Sequence, residues 1–229
     1  MSKPRAVTLN EELIDRVMQD PEAPLIARAI QQRLEEEQKK REAFYNSMPA
    51  EEQKVEFING EVIIHSLVIK RHNDISTNIF QLLNTFVIKY DLGFVGHEKI
   101  MIRLTRNDYE PDVCYFDREQ TATFADETSL FPPPRLVVEV LSSKTAGRDR
   151  GIKFEDYEKH RIPEYWIVVP EEASVEQYLL EEATATYRLR KKSDSGWIEV
   201  AALNPLKLPI EAMFDAKKTQ AVIAEMLAG

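Results

Sequence analysis

The 229-residue chain predicts a mixed α/β (α+β) fold, with a central mixed β-sheet flanked by helices and a helical segment added at the N-terminus. Three observations lead there. The middle of the chain reads helix, three strands, helix, strand, and a strand–helix–strand ending sets helices against a mixed sheet. The run Tyr165-Trp166-Ile167-Val168-Val169 is nearly all apolar, as a strand covered on both faces must be. The residues before about 50 carry helical charge pairs and no strand pattern.

Thr8 and Glu11 stand at capping-box spacing ahead of the short apolar stripe Leu13, Ile14 and Val17. Pro21 and Pro24 interrupt it. A second helix is expected from about 25 to 45, with Glu35–Lys39, Glu36–Lys40 and Glu37–Arg41 in the favourable i,i+4 orientation. Its thin stripe suits a solvated helix or, on a second reading, a packing or dimer arm. At Val55 the pattern changes. Val55–Ile58 and Glu61–Ile64 flank Asn59-Gly60, a pair that accepts the positive φ values of a two-residue hairpin turn. The chain is therefore divided into an extension, 1–50, and a main domain, 51–229.

Ile75, Ile79, Leu82, Leu83, Phe86, Val87 and Tyr90 recur at helical spacing, and Gly93 is expected to stop that helix. Strands follow at about 96–104, 111–116 and 135–141. A helix is expected over 148–160, ended by Pro163, and then a strand at 165–169. Further strands fall at about 175–180, 186–190 and 197–201, and an apolar helix near 219–227.

A net charge of −9 argues against a protein that grips nucleic acid over its whole surface. The charge is uneven, however. Residues 135–161 hold seven basic and five acidic side chains, which leaves the rest of the chain at −11. Cys114 is the only cysteine, which rules out an internal disulfide and a cysteine-based zinc cluster. Apolar runs are too short to span a bilayer, and Met1-Ser2-Lys3-Pro4-Arg5 leads into no apolar leader, so a cytoplasmic protein is expected. Serine-hydrolase, zincin and phosphate-loop motifs are absent, and the four histidines lack helical metal-ligand spacing.

Two carboxylates stand out. Asp112 follows Pro111 at the start of the second central strand, and Glu139 interrupts the apolar run Leu136–Leu141. A carboxylate inside an apolar strand needs a partner. A lysine or arginine is one candidate, and a divalent cation shared by two neighbouring carboxylates is the other.

Glu56-Phe57-Ile58-Asn59-Gly60-Glu61, Glu110-Pro111-Asp112-Val113, Leu136 to Ser142, Thr145, Asp149-Arg150, Lys153 and Glu164-Tyr165-Trp166-Ile167-Val168 form an ordered series. It resembles the Uma-two family of bacterial restriction-endonuclease-like proteins, within the PD-(D/E)XK superfamily. The likeness covers about 55–170, more loosely the chain to 214, and excludes the residues before about 44. It implies a restriction-endonuclease-like core and metal-dependent hydrolysis of nucleic-acid phosphodiester bonds, with DNA as the expected substrate; a homodimer is expected as the assembly. Magnesium, with manganese as a substitute, would be held by Asp112, Glu139 and the Val140 carbonyl. Glu56 is the third acidic candidate, with Glu61 as its competitor.

The usual lysine two residues after the glutamate is missing, because Leu141 occupies that position. The resemblance makes Lys153 its replacement, with Asp149 one turn earlier to steer it. Lys144, Thr145, Arg148 and Arg150 are expected to meet substrate phosphates, with His72 as an accessory residue. Without metal, Asp112 and Glu139 are expected to raise one another's pKa, Glu139 the more. Two other readings stay open. One is an inactive nuclease-fold module for nucleic-acid binding or assembly, and the other is an oligomerisation protein built on the N-terminal helices.

Overall fold

The computed structural model describes residues 11–47 and 54–228, so the Thr8 cap lies outside the described residues. Helices α1 (Glu11–Met18) and α2 (Ala23–Ser47) open the chain. The hairpin forms as the sequence indicates: β1 (Val55–Ile58) pairs antiparallel with β2 (Glu61–Ile64), and Asn59 and Gly60 take φ of 51° and 82°. Helix α3 (Lys70–Tyr90) buries Ile75, Ile79, Leu82, Leu83 and Val87. Asp91, left-handed at φ 50°, ends it, and Gly93 instead opens the next strand.

The strand expected over 96–104 divides into β3 (Gly93–His97) and β4 (Met101–Arg103). Glu98 and Lys99, at φ of 48° and 41°, turn the chain between them and send the two halves into different sheets. Then come β5 (Asp108–Tyr109), β6 (Val113–Asp117), the short α4 (Arg118–Thr121), β7 (Leu130–Phe131) and β8 (Leu136–Val140). The helix expected over 148–160 is broken into α5 (Ala146–Asp149) and α6 (Ile152–Lys159). The break falls at Gly151, where a Cβ would lie 2.7 Å from the Gly147 carbonyl oxygen. Next are β9 (Glu164–Val169), β10 (Ser174–Glu181), β11 (Thr186–Ser193), β12 (Trp197–Glu199), β13 (Lys207–Pro209) and α7 (Ala216–Ala228). No helix among the described residues is long and apolar enough to cross a membrane.

The main sheet has the order β11-β10-β9-β8-β6-β3, mixed as expected: β8 and β9 are parallel, joined through α5 and α6, and its other neighbouring pairs are antiparallel. A second sheet runs β2-β1-β5-β4-β7. Strand alternation divides β8 between two cores. Leu136, Val138 and Val140 pack with α3, Trp166 and Val168. Val137 and, past the strand end, Leu141 face the other way, with Cys114, Tyr157, Tyr165 and Ile167. Glu139 shares the parity of Val137 and Leu141, so its carboxylate enters this second layer.

The end of α2 is anchored to the second sheet by charge. Arg41 is 4% exposed; it donates from Nε to Asp108 Oδ2 at 2.7 Å and from Nη2 to Asp108 Oδ1, and it also caps the Leu104 and Thr105 carbonyls. Tyr45 donates to the same carboxylate at 2.8 Å. A buried pair broken on one side leaves an uncompensated charge. Arg41→Met is therefore expected to lower the unfolding free energy by about 3–5 kcal/mol in urea melts, whereas a loss below about 1 kcal/mol would mark the pair as no stronger than a surface contact.

Candidate active site

Asp112 and Glu139 reach the same place because β6 and β8 are antiparallel neighbours. The register Val113↔Val138, extended one step, sets Asp112 opposite Glu139. Both are nearly inaccessible, at 3% and 2% exposure, and both line a cavity of about 430 Å³.

Lys153 lies at the centre of this cluster. It is on α6, 1% exposed, and its Nζ is 2.8 Å from Glu56 Oε1, 3.0 Å from Glu139 Oε1 and 3.4 Å from Asp149 Oδ1. The ammonium expected to replace the missing strand lysine thus points at Glu139. Tyr157, one helical turn later, donates to the same Glu139 oxygen at 2.9 Å. Leu141 stays in the apolar layer.

Glu56, not Glu61, faces the cluster, since Glu61 is exposed. Glu56 Oε1 also accepts from the Glu110 N–H at 3.3 Å, and Oε2 is 2.8 Å from His65 Nε2. It is fully buried and is not among the residues lining the cavity. Its role is to hold Lys153 and His65 from behind.

Asp112 is equally engaged. Oδ1 accepts from Lys54 Nζ at 2.6 Å, and Oδ2 accepts from the Val140 N–H at 2.7 Å and lies 3.2 Å from His72 Nε2. Val140 thus touches the cluster through its amide, which donates to Asp112. Among the described residues no group of three His, Cys, Asp or Glu side chains is spaced to hold a metal ion. The oxygens are of the right chemistry for magnesium. In this arrangement, though, both oxygens of Asp112 and of Glu56 and one of Glu139 already meet internal donors, so the expected ligand set does not fit a cation as it stands.

Around the cavity, Lys144 donates to Ser66 Oγ at 3.0 Å, and the Thr145 hydroxyl closes the turn after β8 with Ser142 Oγ, also at 3.0 Å. Arg148 lines the cavity with its Nε buried and without a hydrogen-bond partner. Asp149 Oδ1 and His72 Nδ1 are in the same condition, and both residues are cavity-lining. Arg150 departs from expectation. It forms a two-pronged ion pair with Glu176 of β10, at 2.6 and 3.1 Å, and does not line the cavity.

Three members escaped the sequence reading. Lys54 could have been found, since alternation places it on the face of Glu56, and Tyr157 shares a helical face with Lys153. His65 gave no local signal.

The Uma2 family model, described as "Putative restriction endonuclease", matches residues 41–211. The uncharacterized protein sll1609 of Synechocystis sp. is 30% identical over 119 residues, which is 51% of this chain and 66% of that protein, so the match spans just under two thirds of the relative. A crystal structure from Anabaena variabilis, described as a putative nuclease belonging to DUF820, aligns with a TM-score of 0.64 at 17% identity. The alignment covers 76% of this chain and 96% of that one, and at this identity the likeness is one of fold.

The carboxylates are electrostatically unequal. Burial pushes Glu139 up to about 8; Lys153 opposes this, and Asp149 and Asp112 reinforce it. Burial also acts against Asp112, but Lys54 and His72 overcome it and hold the group well below the usual range. Glu56 is buried too, yet Lys153 and His65 bring it down to about 2. Lys153 stays well above its ordinary value because Glu139, Glu56 and Asp149 outweigh its desolvation. The expected mutual rise thus appears only at Glu139.

Glu139 holds its proton in the fold up to about pH 8 but releases it near 4.5 when unfolded. Between those values the native state binds more protons, so stability falls as pH rises. Glu139→Gln is expected to gain stability relative to the parent from pH 5 to pH 8, at no more than about 1.4 kcal/mol per pH unit. Parallel stability curves for the two proteins would contradict the raised value.

Proposed function

The chain belongs to the Uma2 family, and on that premise we propose that it is an endonuclease that hydrolyses phosphodiester bonds of nucleic acid, DNA in the first instance, in the cavity above Lys153. The observation that carries this reading is the position of the Lys153 ammonium, 3.0 Å from Glu139 beside Asp112, at a cavity that also holds Arg148, Lys144 and Thr145.

A phosphate entering the cavity finds Arg148 Nε, a buried donor with no partner, and a charge-assisted bond there relieves an unsatisfied group. Lys144 and Thr145 line the same cavity. Asp149 Oδ1, which has no hydrogen-bond partner and faces the Lys153 ammonium at 3.4 Å, orients a water and takes its proton as the water oxygen bonds to phosphorus. Glu139, still protonated at neutral pH, donates to the leaving oxygen as the phosphorus–oxygen bond breaks. Lys153 stabilises the negative charge that develops between them. Magnesium or manganese is the cofactor proposed for such carboxylates. Asp112 and Glu139 do not offer it a vacant ligand set here, and the steps above belong to the chain's own side chains. The cytoplasm is the proposed setting.

The alternative is a nuclease fold that binds without cutting. The pairing of Asp112 with Lys54 and of Glu139 with Lys153 and Tyr157 favours it, since such a cluster is electrostatically content as it is.

Lys153 is buried against Glu56, Glu139 and Asp149, so its removal disturbs the fold as well as the site. Lys153→Ala strands the buried Glu56 and Asp149 carboxylates and destabilises the protein along with any activity. Sharper variants are Arg148→Ala and Glu139→Gln, which leave no buried charge unpaired. Arg148→Ala is expected to keep a parental melting temperature to within a few degrees, Glu139→Gln to melt no lower than the parent at neutral pH, and both to lose about 100-fold or more in plasmid cleavage with magnesium present. Undiminished cleavage by both would exclude this cavity as the site. No cleavage by the parent protein, with oligonucleotide binding retained, would favour the binding module.

A further inference from the structure

The outer edge of the main sheet carries a basic surface that shares no lining residue with the active-site cavity. β11 is the edge strand, and it bears Arg188, Arg190, Lys191 and Lys192 with no acidic residue among them. Arg188 and Lys192 are committed to Glu181 and Glu176. The side chains of Arg190 and Lys191 have no hydrogen-bond or ion-pair partner among the described residues. They line a hollow of about 630 Å³ together with Gln177, Trp197, Glu199 and Lys207. Lys207 pairs with Glu199 at 2.7 Å, so three basic groups against one acid leave the hollow at +2, on a chain of −9. Trp197, the first residue of β12, is 58% exposed, whereas Trp166 is fully buried. The buried Gln177 donates from Nε2 to Glu164 Oε1 at 2.6 Å and to the Glu199 carbonyl at 2.7 Å. These bonds fix the β12–β13 hairpin to the sheet and hold the indole at a set distance from the β11 charges.

We propose that this hollow binds a single-stranded segment of nucleic acid, with a base stacked on Trp197 and neighbouring phosphates on Arg190 and Lys191. The inference rests on the nucleic-acid reading of the chain and adds a second contact to it. Charge on an edge strand also guards against pairing with another sheet. That purpose requires neither an exposed indole nor a concave wall, and both are present here. Free cations attract backbone phosphates, and every base offers a π-face to an aromatic ring, so the combination suits a strand of any sequence. In a duplex the bases are stacked on one another and closed to a side chain, which is why the strand is single. The register Glu139↔Ile167, Ile167↔Glu176 and Glu176↔Lys192 sets β11 three strand spacings from Glu139. That is about 14 Å, close enough for one oligonucleotide to engage both the hollow and the active-site cavity.

The test is titration of the full-length protein with a labelled oligodeoxythymidylate, in EDTA so that nothing is cleaved, read by tryptophan emission and by anisotropy. Binding by the parent is expected to quench the emission of exposed Trp197 and to leave that of buried Trp166 unchanged. The double variant Arg190→Ala, Lys191→Ala is expected to bind at least about tenfold more weakly, and its slope of log affinity against log salt to be shallower by about 1.4, as two lost phosphate contacts require. Trp197→Ser is expected to lose about fivefold or more, and Trp197→Phe, which keeps a ring, to recover most of it. Circular dichroism melts confirm folding, and if Trp197→Ser is unfolded the quenching and the salt slope decide. Unchanged affinity and slope in these variants, with binding weakened by Arg148→Ala, would overturn the hollow and leave the active-site cavity as the nucleic-acid site. Weaker binding in these variants, with Arg148→Ala unaffected, would support the hollow and count against the cavity. Weaker binding in the double variant without quenching in the parent, or equal binding of an abasic strand, would overturn the stacked base and leave a patch for polyanions in general. Absence of binding by the parent would overturn both readings.

Discussion

The ammonium of Lys153 is the point on which the rest of the structure turns. It is withdrawn from water and meets carboxylates from three places: Glu139 on β8 of the main sheet, Glu56 on β1 of the second sheet, and Asp149 on α5. Desolvating such a charge costs several kcal/mol, and the cost is recovered only where the surrounding oxygens are held close and well oriented. The same contacts therefore set the two sheets and the helical crossover in register, and they assemble the acidic cluster. Charge does similar work one residue further along β1, where Asp108 pairs with Phe57 in the sheet and receives Arg41 from α2. The long, mostly solvated helix is tied down by its last turns.

Satisfaction of polar groups is uneven across the fold. Through most of the core, buried carboxylates have full sets of donors. Glu164, for example, accepts from Trp166, Gln177 and the Ala202 N–H. The three buried side-chain atoms without partners among the described residues are His72 Nδ1, Arg148 Nε and Asp149 Oδ1, and all three residues line one cavity. Stable interiors rarely leave such atoms without a hydrogen bond, and these three gather at one opening rather than being scattered through the core.

Much of the local architecture was legible because it rests on local rules. The hairpin followed from Asn59-Gly60, α3 from its 3.6-residue apolar repeat, and the buried strand β9 from its composition. Glu139 could be recognised as anomalous from its neighbours alone. What was hidden depends on residues far apart in sequence. Nothing near Lys54 announces Asp112, 58 positions later, and nothing near Arg150 announces Glu176 of β10. The division of one expected strand into β3 and β4 was also hidden, because Glu98 and Lys99 adopt left-handed conformations that tertiary packing enforces and propensity disfavours. The position of Lys153 came from family resemblance. Its complete burial came only from the packing of α6 against the second core layer.

The most direct measurement is a crystal structure of the Glu139→Gln variant with a bound oligonucleotide. The account requires a backbone phosphate in the cavity within hydrogen-bond distance of Arg148 Nε, with Lys153 still bonded to Glu56 and to residue 139. An oligonucleotide seated on another face, with Arg148 Nε left without a hydrogen-bond partner, would contradict it.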